Sequence, residues 1–284
     1  MWKCVVLCVY DWGELNLFAE NRQDKIYELI EEYGAVTTAN LVNEFGVSVE
    51  TIRRDLLTME EKGLLKRVHG GAVGVLKMKP FSSLKERNKE FSREKKTLSV
   101  NAAGFIEDGD IIAVDEGSTA ISFAHILKEQ FSSLTIVTHS LDVFNILCNH
   151  KDFEVILCGG HFLKEENAFY GELALEALRK VHVQKAFIFP SAVSIEFGIC
   201  DYGHELYQMQ KQMLGMADQV YILADSSKFE TKALLKIDDM RTEYYYITDD
   251  LLSVGLKKLY RENDIKIFTG DDNKNEYICK TKQE

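Results

Sequence analysis

Apolar residues recur along this chain with two different periods. From Asn21 to Gly74 the spacing is helical. In "NRQDKIYELIEEYG", Ile26, Leu29, Ile30 and Tyr33 share one helix face and Gly34 stops the helix. In "VTTANLVNEFG", Leu41, Val42 and Phe45 do the same, with Thr37 or Thr38 as cap and Gly46 as the stop. Ser48 can then cap a third helix whose buried stripe is Ile52, Leu56 and Met59. "KGLLKRVHGGAV" reads as a short hairpin: Leu64 to Val68, a His-Gly-Gly turn and a return strand. After Pro80, "LKERNKEFSREKKTLSVNAAGFI" predicts a mostly helical connector from Leu84 to about Ile106. Farther on, short apolar runs alternate with helical segments. Strands are expected at 110–115, 134–139, 153–160, 185–193, 219–225, 244–248 and 265–270, with helices such as Thr119–Gln130 and Glu205–Met216 between most of them. Such alternation predicts a mostly parallel α/β sheet with helices on both faces.

Three short helices, a tight Gly-Val-Ser turn between the second and third, and a hairpin make a winged helix-turn-helix. The expected organisation is therefore an extension over 1–20, a DNA-binding winged domain over 21–76, a linker and connector helix over 77–106, and a second α/β domain over 107–284.

Charge sharpens this picture. The whole chain carries 34 Lys+Arg against 45 Asp+Glu, a net −11, which argues against binding any polyanion. Residues 49–79, however, carry a local net +3, while residues 80–284 carry −9. With a Debye length of about 8–10 Å in physiological salt, a distant acidic domain barely cancels a local basic face. On the third helix Ile52 faces the core, Thr51 and Arg54 lie one turn apart on the opposite side, and Arg53 flanks them. Thr51, Arg53 and Arg54 can lie along a major groove of double-stranded DNA, with Ser48 at the helix start. Arg67 and His69 on the wing can reach a phosphate or the minor groove. Arg54 is expected to matter more to DNA than Arg22. The alternative is that Arg53 and Arg54 are solvated charges paired with Glu50 or Asp55.

In parallel sheets ligands bind at the carboxyl ends of strands. Here the first strand ends "DEGST": Asp115, then Gly117 for a tight turn, then Ser118 and Thr119 at a helix start, which suits a phosphate. The second ends at Thr138 and Ser140. The third ends at Gly159 and Gly160, which permit close backbone approach. The fifth ends "DSSK", bringing Asp225, Ser226 and Lys228. These residues are either a pocket for a phosphorylated small molecule or ordinary capping and turn chemistry.

Taken together, "RQDKIYELIEEYGAV", "GVSVETIRRDLLTMEEKGLLKRVHGGAV", "DGDIIAVDEGST", "LTIVTHSLDV", "VILCGG", "VQKAFI" and "ILADSSKF" resemble, in this order, the DeoR family of bacterial transcriptional regulators over about residues 21–270. The resemblance implies an operator-binding repressor of carbohydrate catabolism, released by a phosphorylated sugar. It also implies an effector domain related in fold to ribose-5-phosphate isomerase. Family members commonly carry an Asp-Gly pair after the fourth strand; this chain has Pro190, Ser191 and Ala192 there.

Other classes fit less well. The apolar stretch Cys4–Tyr10 is too short to span a bilayer and is followed by no small-residue cleavage site, so an extra strand or residues upstream of the true start are expected. Six cysteines without a CxxC pair read as reduced thiols of a cytoplasmic protein. No cofactor and no metal are expected. The competing function is a sugar-phosphate isomerase-like enzyme with a fused helical domain, for which the loop after the fourth strand lacks the acidic residues an isomerase base would need. A homo-oligomer, dimer or tetramer, is expected because one small winged domain makes few contacts.

Overall fold

The computed structural model describes residues 19–75, 77–78 and 80–270. The expected extension therefore lies almost wholly outside the described residues. The chain divides into two compact units, one reaching to residue 76 and including Ser253–Asn263, the other made of the remainder.

The first unit runs α1 (Ala19–Tyr33), β1 (Ala35–Thr37), α2 (Thr38–Phe45), α3 (Val49–Glu61), β2 (Leu65–Val68) and β3 (Gly71–Gly74). Thr37 caps α2 by accepting from the Asn40 N–H, Gly46 closes it in the left-handed region at φ 63°, and Ser48 caps α3. Ile26, Ile30, Leu41, Ile52, Leu56 and Met59 form its core. Tyr33, expected on the buried face, is 46% exposed. It is the last residue of α1, where Gly34 at φ 76° already turns the chain away. β1 was not legible: three residues are too few to show alternation. It pairs antiparallel with β3, giving the order β1-β3-β2. Gly71 is obligatory there, because a Cβ would stand 2.0 Å from the Val36 carbonyl oxygen.

The second unit begins with β4 (Lys77–Met78), α4 (Leu84–Arg87) and α5 (Ser92–Ala103). The single connector helix expected here is broken. Ser83 and Glu86 form a capping box that starts a one-turn helix, and Phe91 adopts φ 52° before α5. Then follow β5 (Ile111–Val114), α6 (Ser118–Gln130), β6 (Leu134–Thr138), α7 (Leu141–Leu147), β7 (Phe153–Leu157), the hairpin β8 (His161–Leu163) and β9 (Ala168–Tyr170), and α8 (Glu172–Arg179). The chain continues with β10 (Val183–Ile188), β11 (Ala192–Ser194), β12 (Gly198–Asp201), α9 (Tyr207–Gly215), β13 (Ala217–Leu223), β14 (Thr231–Lys232), β15 (Leu235–Asp238) and β16 (Tyr245–Ile247). Last come α10 (Val254–Glu262), which belongs to the first unit, and β17 (Lys266–Phe268). Within the first unit Ser253 Oγ donates to the Tyr33 carbonyl at 2.6 Å, and Lys258 Nζ reaches Thr37 Oγ1.

Seven strands form one parallel sheet in the order β17-β16-β13-β10-β5-β6-β7. Its interior is packed by Ile112, Val114, Phe123, Phe187 and Leu223. The strand expected over 185–193 is cut in two, because Pro190 has no N–H to continue a ladder. β11 leaves the parallel sheet and pairs antiparallel with β12, which pairs with β15. The strand order reverses between β5 and β10: β6 and β7 extend one way, β13, β16 and β17 the other. That seam is where a parallel α/β sheet opens a crevice.

Arg22, expected to matter less to DNA than Arg54, is a core residue. It is 6% exposed, and its Nε donates to Asp55 Oδ2 at 2.6 Å, with Gln23 on the other carboxylate oxygen at 3.4 Å. Arg22→Ala is expected to leave Asp55 buried without its cationic partner at a cost of about 3–5 kcal/mol. Urea unfolding of the winged unit, followed by near-ultraviolet circular dichroism, measures this; a loss below about 1 kcal/mol, the level of a surface pair, would show that the pair does not bind α1 to α3.

Candidate functional sites

The first unit presents a candidate nucleic-acid interface. An open groove of ≈ 690 Å³ lies between α3 and the β2–β3 wing, lined among others by Thr38, Val49, Arg53, Arg67, His69 and Glu262. Ser48, Arg53, Arg54, Arg67 and His69 are exposed, and Thr51 is half-buried with its hydroxyl on Ser48 Oγ at 2.9 Å. The alternative pairing of Arg53 and Arg54 with Asp55 does not occur, since Arg22 takes that carboxylate inside the core. Among the described residues neither arginine forms an ion pair. Arg67 differs: its Nε and its backbone N–H both donate to Glu60 at 2.8 Å, and these bonds hold the Glu60 carboxyl below its usual range. Arg67 therefore braces the wing against α3, and Arg53, Arg54 and His69 remain as the groups turned outward.

The second unit presents a candidate effector crevice at the β5–β10 seam. Pro80, Ser82, Arg87, Glu90, Phe91, Lys95, Ser118, Ser191, Tyr202, Asp225 and Lys228 line a cavity of ≈ 40 Å³. Ser118 begins α6, which follows Gly117 at φ 115° and has no side-chain cap, so its first amides are open to an anion. Lys228 reaches the seam from the loop after β13 and donates to the Pro190 carbonyl at 2.8 Å. Lys95, on α5, donates to the carbonyls of Arg87 and of Glu90. Among the described residues neither lysine forms a salt bridge. Burial pushes Lys95 down to about 8, with the Lys228 ammonium adding to the effect, and burial likewise lowers Lys228.

The sequence-predicted effector residues divide. Ser118, Asp225 and Lys228 line one cavity, and Thr119 stands beside them with a buried hydroxyl lacking any partner. Asp115 is buried and accepts from Phe189 N–H and Gln210 Nε2, with His139 Nε2 at 2.9 Å. Ser226 N–H is held by Asp249 Oδ2 at 2.7 Å. Thr138 donates to the Val114 carbonyl and accepts from Ser140 N–H, while Ser140 caps α7. Gly159 and Gly160 lead into β8, where Gly160 passes close to the Tyr170 carbonyl. Thr138, Ser140, Gly159 and Gly160 thus serve turns and caps and do not line the cavity.

Several residues were missed by sequence reasoning. Arg87 and Lys95 sit in a charge run that reads as solvated surface. The signal was the helical register: Lys95, Leu98 and Ala102 share one stripe, and all three are buried. A cation on an apolar stripe marks a site. Arg87 forms an ion pair with Glu166. Burial would lower the pKa of Arg87, but the carboxylates of Glu116 and Glu166 outweigh it and raise it. Glu116 is 4% exposed and makes no hydrogen bond through Oε2. Burial pushes its carboxyl well up, Glu166 and Asp115 add to this, and Arg87 opposes it. Asp201, from β12, accepts from Ser191 Oγ at 2.8 Å and Gln210 Nε2 at 2.9 Å.

Comparison with known proteins fits both units. The DeoR-like helix-turn-helix domain matches residues 22–76, and the DeoR C terminal sensor domain matches residues 90–250. The chain belongs to the DeoR family of transcriptional regulators. It is 31% identical to the HTH-type regulator YulB of Bacillus subtilis over 88% of this chain and 96% of that one. It is 29% identical to the L-fucose operon activator of Haemophilus influenzae over 86% and 97%. With the lactose phosphotransferase system repressor of Staphylococcus epidermidis the identity is 33% over 81% and 92%. Among solved structures, ribose 5-phosphate isomerase A of Methanocaldococcus jannaschii matches 48% of this chain and 53% of that one, with 18% identity and a TM-score of 0.35, too loose a match to say anything about chemistry.

In this DeoR-family sensor domain the unpaired Glu116 makes stability depend on pH. Its folded pKa is raised, so the wild type loses stability as pH climbs from the ordinary glutamate range of about 4.3 through the raised value. Glu116→Gln has no such loss. Its melting temperature should match the wild type near pH 4 and exceed it by several degrees at pH 8, in scanning calorimetry without ligand. A gap independent of pH would show that Glu116 is not an uncompensated carboxyl.

Proposed function

We propose that this protein is a repressor of a carbohydrate-catabolism operon, acting in the cytoplasm as a homo-oligomer rather than as an enzyme. Its operator affinity is set by a phosphorylated sugar bound at the β5–β10 seam. The observation that carries the reading is the pair of buried ammonium groups, Lys95 and Lys228, which donate to backbone carbonyls and, among the described residues, form no salt bridge. Two such cations beside the uncapped start of α6 suit a phosphate dianion. Two of the relatives, an L-fucose operon activator and a lactose phosphotransferase system repressor, agree with sugar control.

The crevice encloses only ≈ 40 Å³, room for two or three waters, so a sugar phosphate enters by moving a wall. One wall is the segment from Pro80 to Lys95, which continues the chain from the wing. Ligand entry and the segment leading to the DNA-binding unit are thereby linked, and such couplings typically amount to about 1–3 kcal/mol.

Operator fragments selected from genomic DNA by the purified protein supply the substrate for the test. Arg54→Ala should weaken binding by about 1–3 kcal/mol in fluorescence anisotropy at fixed salt, whereas Arg179→Ala, an exposed partner of Glu172, should not; equal affinity of Arg54→Ala and parent would remove Arg54 from the interface.

A thermal-shift screen of phosphorylated and free sugars should yield hits only with phosphate, and Lys95→Met and Lys228→Met should each abolish the shift. A phosphorylated hit that leaves operator affinity unchanged would sink the sensor role. Sedimentation with operator present should show an oligomer; a lone 32.5 kDa species would contradict paired half-sites.

A further inference from the structure

The groove between α3 and the wing is lined by more than the winged sequence. Glu262, the last residue of α10, lies in it with Arg53, Arg67 and His69. Its Oε2 fills the space into which a side chain on Gly70 would project, so the carboxylate rests against the wing turn. One helical turn earlier, Lys258 Nζ reaches Thr37 Oγ1 and Asn40 Oδ1, both at 3.3 Å, at the start of α2. Thr38 and Ala39, which begin α2, line the same groove. At the other end of α10, Ser253 Oγ donates to the Tyr33 carbonyl, and Gly255 passes so close to the Ala35 carbonyl oxygen that a Cβ would stand 2.8 Å from it. α10 is thus clasped to the end of α1, the start of α2 and the wing.

A carboxylate in this groove is the wrong charge for DNA. A phosphate entering beside Arg53 and His69 would meet Glu262 at short range, where screening is weak. The helix that carries Glu262 also depends on the face it covers. Isolated helices shorter than about 12–15 residues are marginal in water, and α10 spans only Val254–Glu262. Once released, it would fray.

We infer that α10 is an autoinhibitory clasp: it holds Glu262 in the groove, and operator DNA seats fully only when the clasp withdraws. This rests on the reading of the groove as the operator interface. The clasp also has a tie to the sensor crevice. α10 is inserted between β16 and β17, and the residues leading into it are held by the buried Asp249. One of its carboxylate oxygens accepts from Leu251 N–H at 2.9 Å and the other from Ser226 N–H at 2.7 Å. Ser226 lies between Asp225 and Lys228, which line the crevice. One side chain therefore holds both the crevice loop and the entry to α10.

Fluorescence anisotropy on the full chain, with a selected operator fragment at fixed salt and without sugar, tests this. Glu262→Gln and Lys258→Met, at partly exposed positions, should each tighten operator binding about fivefold or more, the lower end of typical couplings between sites. The two changes remove opposite charges. Losing a cation near DNA weakens binding by electrostatics alone, so tightening by Lys258→Met reports release of the clasp. If Lys258→Met leaves binding unchanged or weakens it, or if Glu262→Gln fails to tighten it, the clasp falls. Hydrogen exchange gives a second readout: operator should speed exchange of the amides over 254–262, and unchanged or slower exchange there would overturn the withdrawal. Arg54→Ala separates the two readings. If it keeps parent affinity, the groove is not the operator interface and that reading falls as well; if it weakens binding while neither α10 variant tightens it, the clasp alone falls.

Discussion

Seven parallel strands carry their carboxyl ends to one edge of the sheet, but the strand order reverses there only once, between β5 and β10. The lining of the candidate crevice in the second unit follows from that reversal. It sets the "DEGST" turn beside Pro190 and Ser191 and brings the loop after β13 within reach through Lys228. The connector then lays Arg87 and Lys95 across the gap. The proline that cuts β10 from β11 belongs to the same arrangement. By ending the parallel ladder it frees the chain to fold β11, β12 and β15 as a separate antiparallel sheet, and β12 delivers Asp201. The acidic group that the loop after β10 lacks in sequence thus arrives from a strand ten residues farther on.

The first unit depends on a different constraint, the disposal of charge inside a small core. Asp55 lies on the buried side of a helix whose other side is basic. Had it paired with Arg53 or Arg54, it would have neutralised the face proposed to meet DNA. Arg22 from α1 takes it instead, which ties two helices together and, among the described residues, leaves both outward arginines without ion partners. A net charge of −11 over the chain is compatible with such a face because screening limits each charge to its neighbourhood.

Much of the fold was legible because its elements are long and marked at both ends. Thr37, Gly46 and Ser48 cap and stop as their residue types require, and each of the seven core strands falls where an apolar run predicted it. The failures have physical causes. β1 is too short to show a period. The connector was read as one helix because nothing in its composition reports the left-handed turn at Phe91. The crevice was half legible: turn chemistry exposes Ser118, Asp225 and Lys228, because they are local to strand ends. Gln210 and Asp201 come together only through tertiary packing, from α9 and β12. Thr138, Ser140, Gly159 and Gly160 carry the same local signature and serve turns and caps, so small polar residues after a strand do not by themselves distinguish a cap from a ligand.

Phe91, exposed and held at φ 52° between α4 and α5, gives the crevice a kinetic character. A side chain in that region costs about 1–3 kcal/mol, which the closed wall must carry. If the wall moves to admit a ligand, as proposed, that strain lowers the cost of opening, and the observed affinity is then the intrinsic one multiplied by the fraction of time the wall stands open. Glycine at Phe91 would relax that backbone and so change how readily the wall opens, while also removing a ring from the crevice lining.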